Sequence, residues 1–321
     1  MDVVNWGILG AAKFAREHMA PAINMARGAR LAALATSSAE KANGFSAFCP
    51  DIQVYSSYDD LLAAPEIDAL YIPLPNHLHV EWTQKALRAG KHVLCEKPIA
   101  MQADQIDALI ALRDETGLLA AEAYMIVHHP QWQRAKHLIA DGAIGNLIHV
   151  DGTFSYDNRA DTGNIRNKPE TGGGALPDIG VYTLGSARFA TGQEPETVEA
   201  DIAWENGVDV TSRVIARFPG FSYNCMVSMR MHPRQEMNFH GDAGLLRLTA
   251  PFNPQVFGQA RIELHQPGLA IREERFPAAN HYVNQVEAFC HSLRTGDPYP
   301  WRLEDARGTQ AVIDRAFAAA G

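Results

Sequence analysis

"VNWGILGAAKFA", residues 4–15, decides how the first part of this 321-residue chain folds. An apolar run ends at Leu9, a glycine follows, and a helix-like pattern opens near Lys13. Read from Gly10, the stretch Gly10-Ala11-Ala12-Lys13-Phe14-Ala15 is a G-x-A-x-x-A variant of the G-x-G-x-x-G/A turn. The first glycine permits a tight turn, and the helix N-terminus beyond it offers free amides and a positive dipole end to a pyrophosphate. Ala12 adds a methyl where a phosphate normally approaches, so an ordinary strand-to-helix turn is the competing reading. The surroundings decide between them.

Working outward, short apolar runs at 3–9, 29–35, 69–72, 92–95 and 118–123 alternate with helical patterns at 13–27, 38–48, 58–64, 78–89 and 102–116. Strands spaced by helices imply βαβ units and a parallel sheet. Asn76 is placed to cap one helix, with Gly90 and Gly117 closing two, and Pro21 should kink the first or begin a new turn. After Ala123 the texture changes. One helix, 131–141, ends at Gly142. Segments of period-two alternation follow at 147–156, 197–205, 210–218, 222–230, 236–241 and 245–250, the mark of a sheet with one buried face. Helical patterns return at 281–295 and 302–319. The expected plan is an α/β chain: a dinucleotide-binding domain at 1–123, then a sheet-containing domain at 124–321. The Gly-, Pro- and Asn-rich stretch 158–180 is the long irregular region, where function often sits.

Apolar residues make up 46% and charged residues 20%, the balance of an ordinary globular protein. Lysine and arginine number 28 against 37 acids, a net charge of −9 without a dense basic run. Nucleic acid and anionic membrane surfaces are therefore not expected partners. Cys49, Cys95, Cys225 and Cys290 lie far apart, which suits a reducing cytoplasm better than a disulfide framework. No run approaches the ~20 apolar residues needed to cross a bilayer.

The second strand is followed by "LAALATSSAEK" (31–41). An NAD-binding domain usually carries an acid here for the ribose hydroxyls. Thr36, Ser37 and Ser38 stand in its place, with Glu40 the first acid. Hydroxyls, a helix start and Lys41 or Lys13 would accept a 2′-phosphate that an aspartate would repel, which favours NADP, with NAD possible. Ser37 or Ser38 would equally serve as a helix cap.

Two further stretches, "YIPLPNHLHVEW" (71–82) and "HVLCEKPIA" (92–100), stand at the carboxyl ends of expected parallel strands, the edge where ligands bind in such sheets. His77 and His79 diverge on a helix at i and i+2, so no metal site is expected.

Together, "GILGAAKFA", "PLPNHLHVEW", "AGKHVLCEKPIA", "EAYMIVHHPQ" and "GGGALPDIGVYTL" resemble, in order, the glucose-fructose oxidoreductase/inositol dehydrogenase/rhizopine catabolism (Gfo/Idh/MocA) family. The forms are most similar to its sugar and dihydrodiol dehydrogenase branch. The resemblance implies a Rossmann domain, then an α/β domain with a large open, mostly antiparallel sheet, both contributing to the active site. Lys97 matches the lysine that contacts the substrate hydroxyl, and Glu96 a residue that seats the nicotinamide. Pro75, Asn76 and His79 match the cofactor-lining motif, and Asp178 and Tyr182 the D-x-x-x-[HY] element. Many members carry histidine where this chain has Tyr182, and Pro177 is unusual, so the identity of the acid/base stays open.

Hydride transfer leaves or consumes an alkoxide-like oxygen, which a cation or strong donor stabilises. The working assignment has Lys97 as principal acid/base, Tyr182 as proton relay, Asp178 as the orienting acid and His129 facing the substrate. Arg159, Arg166 and Asn158 lie in the irregular region, where they could meet a polyol or an acid group, but are read as surface residues rather than ligand-binding ones. The expected function is NADP-favouring hydride transfer to or from a sugar or related polyhydroxy compound. The alternatives are reduction of a dicarbonyl or keto sugar, dihydrodiol oxidation, and a non-enzymatic NADP(H)-sensing regulator. An alternating sheet with an apolar face leads to a homodimer or homotetramer as the expected assembly.

Overall fold

A computed structural model describes residues 3–321. These form two compact units, 3–128 with 280–307, and 129–279 with 308–321.

The first unit is built on six strands: β1 (Val4–Leu9), β2 (Ala29–Ala35), β3 (Gln53–Tyr55), β4 (Ala69–Ile72), β5 (His92–Cys95) and β6 (Ala120–Glu122). They pair in parallel in the order β3-β2-β1-β4-β5-β6. The order reverses between β1 and β4, which places the ligand-binding crevice of such sheets beside the end of β1. Strands of this kind are covered on both faces, and their sequences show it. Trp6, Ile8 and Leu9 are fully buried, as is every residue of β4. β3 has no counterpart among the expected strands, because it is a three-residue edge strand with two exposed residues and no periodic signal.

A wide π-helical turn, Ala15–Met19, leads into α1 (Ala20–Met25), with Pro21 in the first turn of α1. Proline lacks the N–H for the regular ladder, and the break expected at this residue takes the form of that wide turn. The other helices of this part are α2 (Ala39–Ser46), α3 (Tyr58–Leu62), α4 (His79–Arg88) and α5 (Ala103–Thr116). Asn76 is not the cap expected of it. It opens a 3-10 turn, Asn76–Leu78, for which Pro75 is the N-cap.

In the second unit, α6 (Pro130–Ala140) precedes β7 (Leu147–Asp157), and α7 (Val181–Thr191) follows the long irregular stretch. Then come β8 (Thr197–Glu205), β9 (Val208–Phe218), β10 (Phe221–Ser228), β11 (Arg230–Gly241), β12 (Leu245–Leu248), β13 (Arg261–Gln266) and β14 (Ala270–Arg275). The eight strands lie in the order β14-β13-β12-β11-β7-β10-β9-β8, antiparallel except between β7 and β10. β13 and β14 extend the sheet beyond the segments expected from alternation.

One face of this sheet buries Val214, Ala216, Tyr223, Cys225, Met237, Phe239, Leu246 and Leu264. The larger of these, such as Val214, Met237, Phe239 and Leu246, each contribute about 1.5–3 kcal/mol when fully buried. The opposite face carries cross-strand ion pairs, Arg213–Asp201, Arg247–Glu236 and Arg261–Glu273.

The last helices are α8 (His281–Thr295) and α9 (Leu303–Ala319). The expected division at 123/124 put both in the second domain, whereas 280–307 packs with the first unit. The reason is apolar: Val286, Phe289 and Cys290 of α8 are fully buried, and the Phe289 ring lies 5.0 Å from that of Trp6 in β1. Arg27 and Glu287 add an ion pair at 3.1 Å.

Candidate active site

The turn after β1 is built around a glycine that no other residue could replace cheaply. Gly10 has φ +98°, and a Cβ there would come within 2.9 Å of the Leu74 side chain. Only glycine meets both conditions cheaply. Its N–H donates to the Ala35 carbonyl of β2 at 2.9 Å, fixing the turn to the neighbouring strand. Ala11, Ala12 and Phe14 are half-buried and Lys13 is exposed where the helix begins. The Phe14 ring sits 5.6 Å from that of Tyr282, at the start of α8. The turn after β1 thus takes the tight strand-to-helix form that its glycine permits.

At the end of β2, Ser38 is the N-cap of α2 and its hydroxyl accepts from the Lys41 amide at 3.3 Å. Thr36 Oγ1 accepts from the Ser38 amide at 3.2 Å. Ser37 and Lys41 are exposed at the helix start. The capping reading of this stretch is the one seen here: Ser38 caps α2, while Ser37 and Lys41 lie at the surface.

Pro75 and Asn76 are half-buried at the end of β4. His79, expected to line the cofactor, instead turns inward. It has no exposed surface, and its ring nitrogens lie 2.8 Å from the Pro98 carbonyl and 2.7 Å from the Leu74 carbonyl. Burial lowers this ring to about 4, although both carbonyls favour its protonated form. His79 is a strut between two strand-end turns.

One of those turns carries Glu96 and Lys97, both half-buried, followed by a cis Lys97–Pro98 bond. Tyr71 of β4 donates to Glu96 Oε1 at 2.6 Å, and the Lys97 amide donates to Oε2 at 3.3 Å. Burial raises the Glu96 carboxyl, while the Tyr71 bond and the Lys97 charge oppose the rise. The carboxylate is thus occupied by its own loop and by Tyr71. β5 lies beside β4, and β4 beside β1, so Gly10 and Lys97 stand at the same carboxyl edge of one sheet.

In the second unit, "PDIGVY" is helical. Its first part, Leu176–Gly180, is wound as a π-turn that runs on into α7. Asp178 is buried and bracketed: Arg166 Nε lies 2.8 Å from Oδ1, and the Tyr156 hydroxyl donates to Oδ2 at 2.6 Å. The Asp178 charge raises the Arg166 guanidinium further, and burial with that same charge raises the Tyr156 phenol. Both partners therefore stay protonated as donors. The buried Tyr182 ring is set among Phe154 and Phe252, with centroids at 5.8 and 5.7 Å.

His129, expected to face the substrate, has no exposed surface. Its Nδ1 accepts from the Gln131 amide at 3.1 Å as the cap of α6, and burial lowers the ring to about 4.

Three residues escaped the sequence reading. Arg166 was read as surface, yet it engages Asp178. Tyr156 closes an apolar alternating strand and carried no polar signal. Asp209 of β9 is buried and accepts from the Leu176 amide at 2.7 Å and the Ser212 hydroxyl at 2.9 Å. It anchors the turn that carries Asp178. Gly174 makes room for it: φ is +125°, and a Cβ there would fall 2.0 Å from Asp209 Oδ1. Burial raises the Asp209 carboxyl to about 6 against the pull of these donors. The signal available in sequence was a lone acid inside an apolar alternating segment.

Comparison with known proteins agrees with this geometry. Residues 4–124 match the oxidoreductase family with an NAD-binding Rossmann fold, and residues 132–247 match the GFO/IDH/MocA C-terminal domain. An uncharacterized oxidoreductase of Rhizobium meliloti is 38% identical over 98% of this chain and 96% of its own. A dTDP-3,4-didehydro-2,6-dideoxy-alpha-D-glucose 3-reductase of Saccharopolyspora spinosa is 35% identical over 91% of this chain and 88% of its own. Among solved structures, a 3-ketoreductase from Actinomadura kijaniata, in complex with NADP and TDP-benzene, superposes with a TM-score of 0.91. It shares 29% identity, over 99% of this chain and 98% of that one. The glycine turn, the Glu96-Lys97-Pro98 loop, the two sheets and these likenesses all agree: this chain belongs to the GFO/IDH/MocA family of oxidoreductases.

Proposed function

We propose that this oxidoreductase transfers a hydride between NADP(H) and a ring carbon of a sugar or related polyhydroxy compound, with Lys97 as the group that exchanges the oxygen's proton. The observation that carries the reading is the placement of Gly10 and Lys97 at one carboxyl edge of the parallel sheet. An ammonium there stands where nicotinamide and substrate oxygen meet in such folds. When bound, the nicotinamide supplies or takes the hydride.

Lys97 stabilises the oxygen as charge develops on it and delivers or removes its proton. Tyr182 relays that proton. Asp178, held by Arg166 and Tyr156, orients a substrate hydroxyl. Gly10 to Phe14 seat the pyrophosphate. Ser37, Ser38 and Lys41 take the 2′-phosphate, and Pro75, Asn76 and Glu96 line the nicotinamide half.

Reduction of a keto sugar is the second reading. Its support is the likeness to a didehydro-dideoxyglucose 3-reductase and to a 3-ketoreductase, the latter holding NADP. The test is a spectrophotometric screen of aldoses, polyols and keto sugars, free and nucleotide-linked, with NADP(H) and NAD(H) in parallel. Turnover of a sugar with an NADP preference is expected. Turnover lost in neither Lys97→Ala nor Tyr182→Phe would overturn the assignment.

We infer further that the protein is cytoplasmic and a homodimer or homotetramer. Ile215 and Trp204, 58% and 53% exposed on the second sheet, support a subunit contact there, and light scattering at micromolar concentration tests it. A monomeric mass would count against it.

A further inference from the structure

Glu122 ends β6 and opens the stretch "EAYMIVHHPQ", to which the hydride-transfer assignment gives no task. It is a carboxylate with only 2% of its surface exposed. Burying such a group is costly unless strong donors compensate. Two do. Oε1 accepts from the Ile99 amide at 3.0 Å, two residues beyond Lys97, and Oε2 accepts from the Trp301 indole at 3.0 Å.

Trp301 is itself buried and stacks on Tyr124, two residues beyond Glu122, with centroids 4.5 Å apart. The same stretch is tied again by Tyr299, whose hydroxyl lies 2.9 Å from His128 Nε2. On the other flank of Lys97, Glu96 is held by Tyr71, and the Pro98 carbonyl faces the His79 ring. The turn bearing Lys97 is therefore gripped from both sides, and Glu122 is the grip that reaches the segment before α9.

We propose that Glu122 is a positioning residue for Lys97, locking the 96–99 turn against Trp301 so that the ammonium is held in one place. The proposal rests on the assignment of Lys97 made above. A carboxylate suits the task because it presents two acceptors to two donors. Glutamine offers one oxygen, and its amide N–H group then faces either the Ile99 N–H or the Trp301 N–H. The turn must then shift, and a displacement of about 1 Å at a reacting group costs up to about 100-fold in rate.

The test reads Lys97 directly. Lysines of the full chain are reductively methylated with 13C, and the Lys97 line is assigned by its loss in Lys97→Ala. In Glu122→Gln the Lys97 line is expected to shift or broaden while the lines of Lys13 and Lys41 hold still. NADPH affinity, read by fluorescence, should stay within about twofold, and kcat on the sugar selected by the screen should fall about tenfold or more at similar KM. Trp301→Phe, which keeps the Ile99 bond, should move the same line less, and it serves if Glu122→Gln does not fold. A Lys97 line unmoved in the folded variant, or a kcat loss matched by lost NADPH binding, overturns the proposal. Full turnover by Lys97→Ala would instead overturn the assignment of Lys97, leaving the spectroscopic result to judge Glu122 by itself.

Discussion

Arg166 holds Asp178: its Nε lies 2.8 Å from Oδ1, and the pair joins a long irregular loop to the turn before α7. The loop is itself ordered by Arg230, which donates to Asn158 Oδ1 at 2.8 Å and Asn167 Oδ1 at 3.2 Å. Arg166→Met should remove the guanidinium from Asp178 Oδ1 and raise KM for the sugar several-fold, with a smaller change in kcat. Because the Arg166 side chain is 41% exposed, solvent screens the pair. A double-mutant cycle with Asp178→Asn, read by urea unfolding, should give a coupling of only about 1 kcal/mol.

Tyr182→Phe removes a hydroxyl and leaves the ring packed between Phe154 and Phe252. The apolar packing of the ring should therefore be kept, and the melting temperature should fall by only a few degrees. If Tyr182 relays the proton, kcat should fall by about 100-fold, with the pH profile of kcat displaced. A variant with unchanged kcat would exclude the relay.

At the end of β2, Ser37→Asp should repel a 2′-phosphate, and the ratio of kcat/KM for NADP over NAD should drop by tenfold or more. Ser38→Ala tests the other role of the same stretch. It removes the acceptor of the Lys41 amide and should cost about 1 kcal/mol in unfolding free energy. The two effects should separate cleanly, since Ser37 makes no cap.

Buried histidines set the acid limit. Burial lowers His79 and His129 to about 4 and His128 to about 3. Each is neutral in the fold but binds a proton near pH 6.5 when unfolded, so the stability it contributes is present above that pH and is lost as pH falls toward 4. Asp209 has the opposite sign. Its carboxyl, raised to about 6, favours the fold below pH 3.8, and that contribution is lost as pH rises through 6. His18 and His92 are lowered in the same sense, so the lowered histidines outnumber the two raised carboxyls, Asp209 and Glu96, and predict a net loss of stability from pH 6.5 to 4. Urea titrations should show a steeper loss in Asp209→Asn, which lacks the opposing term.

Much of this was legible beforehand, for identifiable reasons. Gly10 stood out because a glycine between an apolar run and a helix has few other uses, and its positive φ bears that out. The six strands of the first sheet were nearly all readable, since doubly covered strands are continuous apolar runs. β3 was not, because an exposed three-residue edge strand needs no apolar pattern. His79 and His129 were misread as ligand-facing because a histidine near a helix start looks the same from its sequence whether it points out or in. Arg166 was misread for the converse reason: loop arginines are usually solvated, and nothing local to it names Asp178.

By itself, the sequence determined the order of elements, the turn at Gly10 and the pinned lysine at Lys97, because periodicity, glycine and proline act over a few residues. Only the tertiary structure decided which buried carboxylates hold the candidate site. Glu122 reaches Ile99 and Trp301, and Asp209 reaches Leu176, across separations of 23, 179 and 33 residues. The physical reason is that a buried charge is tolerated only where donors converge on it. Such convergence is a property of packing, and no stretch of chain announces it.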